Sequence, residues 1–162
     1  MTTVTRNSVV WLMELSDLYS QKILDLAGNA VQPGRLPDAD ASARKVSRVC
    51  GSVIEVDVRV RDGVIVAYGH EISACALGQT SAAVVAREIV GTPVAAFRQL
   101  RDQMHAMLKE GGAPPTGKWD DLRFLEPVRD YRARHVSTLL VFDAVVEALE
   151  KIESAESVAV AG

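Results

Sequence analysis

The chain has 162 residues, of which 48% are apolar and 24% charged, and its formal net charge is −3 at pH 7. This length and balance are typical of a globular domain that buries a core. The negative charge excludes broad nucleic-acid binding, which needs a basic face. No apolar run reaches the ~18–20 residues that span a bilayer. We therefore expect no membrane association. The short apolar patch Val9–Met13 lacks the cleavage site of a signal peptide, so we expect it to belong to the mature protein.

We predict a single domain over residues 1–153, followed by a flexible tail over residues 154–162. The first part of this domain is expected to hold one helix and one long loop. Leucines and isoleucines recur at helical spacing over Val9–Ala27, and Gly28 gives a stop signal. Ser16 is an alternative N-cap that would start this helix later. Residues 30–45 are rich in Pro, Gly, Asp and Ala, and they predict an irregular loop.

The centre of the chain predicts a β-hairpin. Apolar and charged residues alternate over Val53–Val60, the pattern of a half-buried strand. Asp62-Gly63 is a strong signal for a two-residue turn, and Val64–Tyr68 returns as the second strand. Gly69–Ser73 is either a third strand or a loop that leads to the next helix.

The remainder of the chain predicts helices. An Ala-rich helix is expected from about Leu77 to Val90, and Thr92-Pro93 opens another, with Thr92 as N-cap. A short helical turn follows over Trp119–Leu125, and the last helix covers His135–Ile152. Because the strands follow one another and helices flank them, we predict an α+β fold, a small three-stranded antiparallel sheet with helices packed against it.

The two cysteines, Cys50 and Cys75, stand on either side of the β segment. Cys75 precedes a predicted helix, whose free N–H groups and positive dipole end favour a thiolate that acts as nucleophile or metal ligand. Cys50 precedes Gly51, which lets the backbone approach a site closely. For each cysteine, an equally good alternative is that its side chain packs in the core as a small apolar group and has no chemical role. A reversible disulfide between them is a weaker alternative that requires Cα atoms within about 7 Å.

The start of the last helix supplies two candidate partners for the thiols. His135 alone is more typical of a surface residue, but with Cys50 and Cys75 it is a candidate third ligand for zinc or iron. Ser137 is a candidate N-cap of the same helix. Weaker candidates for the same ligand role are three other residues: His70, Glu71 and His105.

Several function classes find no support in the sequence. The glycines do not form a phosphate-binding loop, and no Ser-His-Asp set or pair of carboxylates stands out. We therefore do not expect an enzyme. Two cysteines do not make a disulfide framework, which predicts a reduced, cytoplasmic setting.

With these residues in view, the chain resembles the NifU/IscU/SufU family of iron–sulfur cluster assembly scaffolds. The similarity runs from about Leu18 to Leu149. It rests on LYSQKILDLAGN, on Cys50-Gly51 at the start of a hairpin, on Cys75 before an Ala/Ser-rich helix, and on ARHVSTLLVFDAVVEAL. The segment TGKWDDLRFLEPVRDYRAR is similar to the extra segment of the SufU-like branch. The resemblance implies an IscU/SufU-like fold.

The family site has three cysteines and an aspartate, and two of these four ligands are absent here. Cys50 and Cys75 match the first two cysteines, and the aspartate falls on Ser52. A [2Fe–2S] cluster takes four protein ligands, usually thiolates, so this chain alone is not expected to hold one stably.

The third family cysteine can be matched to the last helix in two ways. A gapless match places it on Ser137. A match shifted by one residue places it on Val136 and the family histidine on His135. The third thiol is absent in both.

The resemblance implies a scaffold or sulfur-acceptor protein of iron–sulfur cluster assembly that binds a metal or cluster through Cys50 and Cys75. His135 and Ser137 would complete the metal site, and the cofactor would be a transient iron–sulfur cluster or zinc. The implied partners are a cysteine desulfurase, which delivers persulfide sulfur, and apo iron–sulfur acceptor proteins. A homodimer that shares a cluster is a further option. The alternative is a metal-free paralogue that acts as a partner-binding module.

Overall fold

The computed structural model describes residues 19–161, and the side chains of residues 19–158. Residues 9–18 of the predicted first helix lie outside this part. The helices are α1 (Gln21–Gly28), α2 (Ala76–Glu88), α3 (Val94–Lys109) and α4 (His135–Ala161), and the strands are β1 (Ala41–Val46), β2 (Val53–Arg61) and β3 (Val64–Ser73). Two 3₁₀ segments, Gly117–Asp130 and Arg132–Arg134, lead into α4.

The three strands form one antiparallel sheet in the order β1-β2-β3, which confirms the predicted fold class. The hairpin turn between β2 and β3 is also confirmed. Asp62 and Gly63 both have positive φ, 53° and 74°, as a two-residue turn of type I′ requires. β3 continues without a break to Ser73, so Gly69–Ser73 belongs to the second hairpin strand.

The third strand is β1, and the prediction of a loop over residues 30–45 was wrong for the last part of that segment. The β1 sequence, ASARKV, has small and charged residues and no alternating apolar pattern. Its pairing with β2, from Ala41 opposite Val58 to Val46 opposite Val53, makes it a strand. Only Ala43 of β1 is buried, so the ladder decides the conformation here and the side-chain pattern does not.

The helices cover one face of the sheet. α4 packs on β1 and β2, and it also contacts α2 and α3, while α1 lies against α2. The alternating side chains of Ile54, Val56 and Val58 are fully buried in this core. α4 continues to Ala161 instead of ending at Ile152, whereas flexibility of residues 154–162 stays a prediction. Among the described residues, no helix is long and apolar enough to cross a membrane.

A buried carboxylate fixes the loop before β1 on the other face of the sheet. Asp57 Oδ2 accepts hydrogen bonds from Arg35 Nε at 2.7 Å and from the Leu36 backbone N–H at 2.9 Å, and Ser42 donates to Oδ1. Burial raises the pKa of Asp57, but the bonds from Arg35, Ser42 and Leu36 outweigh it and lower the pKa to about 2. Gly69 leaves room for this loop, since a Cβ there would lie 2.5 Å from the Gly34 carbonyl oxygen.

The substitution Asp57→Asn is expected to destabilise the protein by about 2 kcal/mol at pH 7, because the amide cannot pair with Arg35. The folded pKa of Asp57 lies below its unfolded value, so the carboxylate contributes stability above about pH 4 and loses it as the pH falls towards 2. Urea unfolding of both proteins between pH 2 and pH 7 measures the difference.

The matched control is Asp38→Asn, which breaks the ion pair of an exposed carboxylate with Arg59 and is expected to change stability by less than about 0.5 kcal/mol. Equal stability losses in the two variants would contradict the role assigned to Asp57.

Candidate two-thiol site

Cys50 lies in a tight turn that joins β1 to β2. The Ser47 N–H donates to the Ser52 carbonyl at 2.8 Å, and the Gly51 N–H donates to the Ser47 carbonyl at 2.9 Å. Gly51 has a φ of 70°, a conformation that residues with a Cβ rarely adopt. The Cys50-Gly51 pair is therefore what allows the chain to turn back and present the thiol at the end of the sheet.

Two buried serines of this turn contact the Cys50 thiol. Its Sγ lies 3.3 Å from Ser47 Oγ and 3.0 Å from Ser52 Oγ. Both serines are essentially inaccessible to solvent, while Cys50 itself is partly exposed. The sulfur is thus held by hydroxyl groups on its protein side and is open to a reactant on the other.

Cys75 is the N-cap of α2, as its position in the sequence predicted. It is partly exposed, and both cysteines are free thiols. Its Sγ lies 3.6 Å from Ser137 Oγ in the first turn of α4. Gly78 permits this approach of the two helices, since a Cβ there would lie 3.1 Å from the Ser137 carbonyl oxygen.

Ser137 Oγ, the partner of Cys75, also acts on Cys50 as the weakest of the hydrogen-bonding groups that lower the pKa of that thiol, so one buried hydroxyl lies near both sulfurs. Burial raises the pKa of the Cys50 thiol. The hydroxyls of Ser47, Ser52 and Ser137, together with the Ser52 N–H, donate to the thiolate, outweigh burial and lower the pKa to about 7. A larger share of Cys50 is therefore ionised at neutral pH than of an ordinary cysteine.

The structure brings Ser137 to the thiols and places Val136 on the surface, 48% exposed. This arrangement agrees with the gapless match of the last helix.

His135 does not join the thiols. Its Nε2 donates to the carbonyls of Val128 and Arg129, at 3.0 and 3.1 Å, in the 3₁₀ segment before α4. The ring is buried, so the surface alternative for His135 is wrong as well. Within residues 19–158, no three His, Cys, Asp or Glu side chains come together to hold a metal ion.

The weaker candidate ligands have other surroundings. His70 is buried and its Nδ1 lies 2.8 Å from Tyr68 Oη, and burial lowers the pKa of His70 to about 4. His105 pairs with Asp143 at 2.7 Å on the helical side of the domain. Glu71 is exposed on β3.

Ser47 is the site residue that the sequence did not indicate. It stands three residues before Cys50, and nothing in its spacing distinguishes it from an ordinary turn serine. Its contact with the sulfur depends on the turn that Gly51 permits. Ser52 was singled out by its match to the family aspartate and not by its contact with Cys50.

The donor set does not fit a resident zinc ion held by this chain alone. Structural zinc takes four ligands, usually thiolates and imidazoles, and catalytic zinc takes three from the protein. Two thiols are in place here, and the third group that touches them is the Ser137 hydroxyl, a poor ligand for a borderline metal.

Comparison with known proteins gives a consistent result. The family model described as NifU-like N terminal domain matches residues 18–120. The iron–sulfur cluster assembly scaffold protein IscU of Thermotoga maritima is 29% identical over 135 residues, which cover 83% of this chain and 94% of that protein.

Two solved structures are similar in fold. The N-terminal part of a NifU-like protein from Brucella abortus has 46% identity and a TM-score of 0.85, over 87% of this chain and 98% of that chain. A SufU protein of Fervidobacterium islandicum has 21% identity and a TM-score of 0.74, over 83% of this chain and 98% of that chain, and it bears on the fold alone. The chain therefore belongs to the family of NifU-like N-terminal domains.

Proposed function

We propose that this chain is a sulfur acceptor in iron–sulfur cluster assembly and that Cys50 receives the sulfur. The observation that carries the proposal is the contact of the Cys50 sulfur with the hydroxyls of Ser47, Ser52 and Ser137, which lower the pKa of the thiol to about 7. A thiol whose pKa is near the ambient pH is well suited to attack another sulfur. Similarity to a protein named as a cluster assembly scaffold supports the pathway.

The proposed transfer starts from a persulfide on a cysteine desulfurase. The Cys50 thiolate attacks the terminal sulfur of that persulfide, and a new S–S bond forms on Cys50 as the S–S bond of the donor breaks. The donor cysteine leaves as a thiolate that carries the negative charge, and the outer sulfur of the new Cys50 persulfide keeps the proton it had on the donor. The step exchanges one S–S bond for another, so it needs no oxidant or reductant.

Cys75 is the second thiol of the proposed site. Its link to Cys50 through Ser137 places both sulfurs where they can act on the same cargo. A [2Fe–2S] unit needs four ligands, and the two thiols supply half of them. The remaining ligands would come from an apo acceptor protein or from a second copy of the chain. The proposed role is therefore transient carriage of the cluster. We propose the cytoplasm as its location, because two cysteines do not make a disulfide framework.

A second candidate function is a metal-free module that binds assembly partners. The observation that favours it is the hydroxyl of Ser137 at the point where both thiols meet, where a third metal ligand would be needed. Elemental analysis of freshly purified protein separates the two functions, since stoichiometric iron or zinc would exclude the metal-free module.

The ionisation of Cys50 can be measured by its rate of alkylation with iodoacetamide at a series of pH values, with the modified peptide quantified by mass spectrometry. The wild-type rate is expected to reach half its maximum near pH 7. Ser47→Ala or Ser52→Ala removes a donor to the thiolate, so the midpoint should move to higher pH.

The matched control for this titration is Ser81→Ala, which removes a buried hydroxyl that bonds only the Leu77 carbonyl in α2. The control midpoint should equal that of the wild type. An unchanged midpoint in both Ser47→Ala and Ser52→Ala would show that the hydroxyls do not set the ionisation of Cys50.

Sulfur loading is expected when the protein is incubated with cysteine and a purified cysteine desulfurase. Intact-mass analysis should show one added sulfur atom, and peptide analysis should place it on Cys50. Cys50→Ser should abolish the loading, because Cys75, the other cysteine of the chain, contacts only one of the three serine hydroxyls.

Cys75→Ser is the control and should still load Cys50. Equal loading of Cys50→Ser and the wild type would refute the proposed acceptor. Wild-type protein that binds the desulfurase but never takes up sulfur would support the metal-free module.

A further inference from the structure

The arginines of the chain divide into two groups by their partners. Of the twelve that the structure describes, eight form ion pairs with acidic residues of the chain. These are Arg35, Arg44, Arg59, Arg61, Arg87, Arg98, Arg101 and Arg123. The other four make no ion pair with any described residue, and we call them the arginine patch: Arg48, Arg129, Arg132 and Arg134.

The arginines of the patch lie in, or just before, the segments that build the two-thiol site. Arg48 belongs to the turn that carries Cys50. Arg132 and Arg134 form the 3₁₀ turn before α4, and the Arg134 carbonyl accepts hydrogen bonds from the hydroxyls of Ser137 and Thr138. The Arg129 carbonyl is bonded by His135 at the start of the same helix.

The patch opposes the charge of the rest of the molecule. The net charge of the chain is −3, so without these four positive charges it would be −7. None of the four arginines is in an ion pair within the described part of the chain, and they outnumber the two acidic residues that stand nearest to them in sequence, Glu126 and Asp130. A cluster of this kind attracts a negatively charged partner and raises the rate of encounter with it.

Exposed apolar side chains accompany the charges. Val46 and Val49 flank the Cys50 turn, and Val136 precedes Ser137, with 47%, 71% and 48% of their surfaces exposed. If the partner of the patch were a small anion, it would not cover these valines, and they would stay exposed to water. A surface that combines exposed apolar side chains with arginine is typical of a protein–protein contact.

We propose that the arginine patch and the three valines form the docking surface for the sulfur-donor protein, and that the contact surface of that donor is acidic. The proposal rests on the function proposed above, because it takes Cys50 as the acceptor that the donor must reach. Charge complementarity would bring the donor to the end of the sheet where the thiol is exposed. The valines would then be buried against the donor, which excludes water from the transfer.

The first arm of the test measures the local charge with two methanethiosulfonate reagents, one anionic and one cationic, that modify Cys50. At low salt the anionic reagent is expected to react about tenfold faster than the cationic one, and about 0.5 M NaCl should remove most of the difference. In the variant Arg48→Glu/Arg132→Glu the preference should disappear or reverse.

The second arm measures the rate of association of wild-type protein with a purified cysteine desulfurase as a function of salt. The rate should fall steeply with salt and should drop about tenfold in Arg48→Glu/Arg132→Glu. The matched control is Arg61→Glu, which reverses an exposed arginine at the hairpin end of β2, about 30 Å along the strand from the Cys50 turn. Circular dichroism confirms that each variant is folded.

The outcomes separate this proposal from the acceptor function. Association that is independent of salt and of charge reversal would overturn the docking surface, even if the small reagents show a charge preference. If such a protein still loads sulfur on Cys50, the acceptor function stands without the docking surface. If the charge effects are as expected but Cys50 never loads sulfur, the acceptor function fails, and the docking proposal that rests on it fails too.

Discussion

The Ser137 hydroxyl is the contact on which the site depends, because it joins two thiols that are far apart in the chain. Cys50 reaches it from the β1–β2 turn, and Cys75 reaches it from the start of α2. Each approach has a backbone requirement. Gly51 supplies the positive φ of the turn, and Gly78 supplies the space in which α4 packs closely on α2. The rest of the fold serves to bring these three segments to one end of the sheet.

The chemistry of this contact favours a thiolate over a metal ion. Serine hydroxyls donate hydrogen bonds, so they stabilise negative charge on sulfur, but as neutral oxygen ligands they bind soft metals weakly. A site with two thiols and three hydroxyls is therefore better suited to receive sulfur than to retain a cluster. The unpaired arginines on the same segments extend this preference for negative charge to the surface around the site.

The sequence was informative for several features that the local pattern decides, although the prediction of Thr92 as N-cap was wrong, since Pro93 is the N-cap of α3. The Asp62-Gly63 turn and the position of Cys75 before a helix follow from short-range rules, and both are present. β1 was missed because its pairing with β2, and not its own composition, makes it a strand. The roles of Ser47 and His135 could not be read from spacing, since both depend on where a distant or irregular segment lies in the folded chain.

The central claim is that position 137 is where a third ligand would meet the two thiols. Anaerobic titration of Ser137→Cys with zinc, followed by elemental analysis after gel filtration, tests it most directly. We expect one tightly bound zinc per chain, because three thiolates would then face one point. Val136→Cys is the matched control, and its exposed thiol should leave zinc binding at the wild-type level. Equal zinc binding by the two variants, or none by Ser137→Cys, would contradict the account.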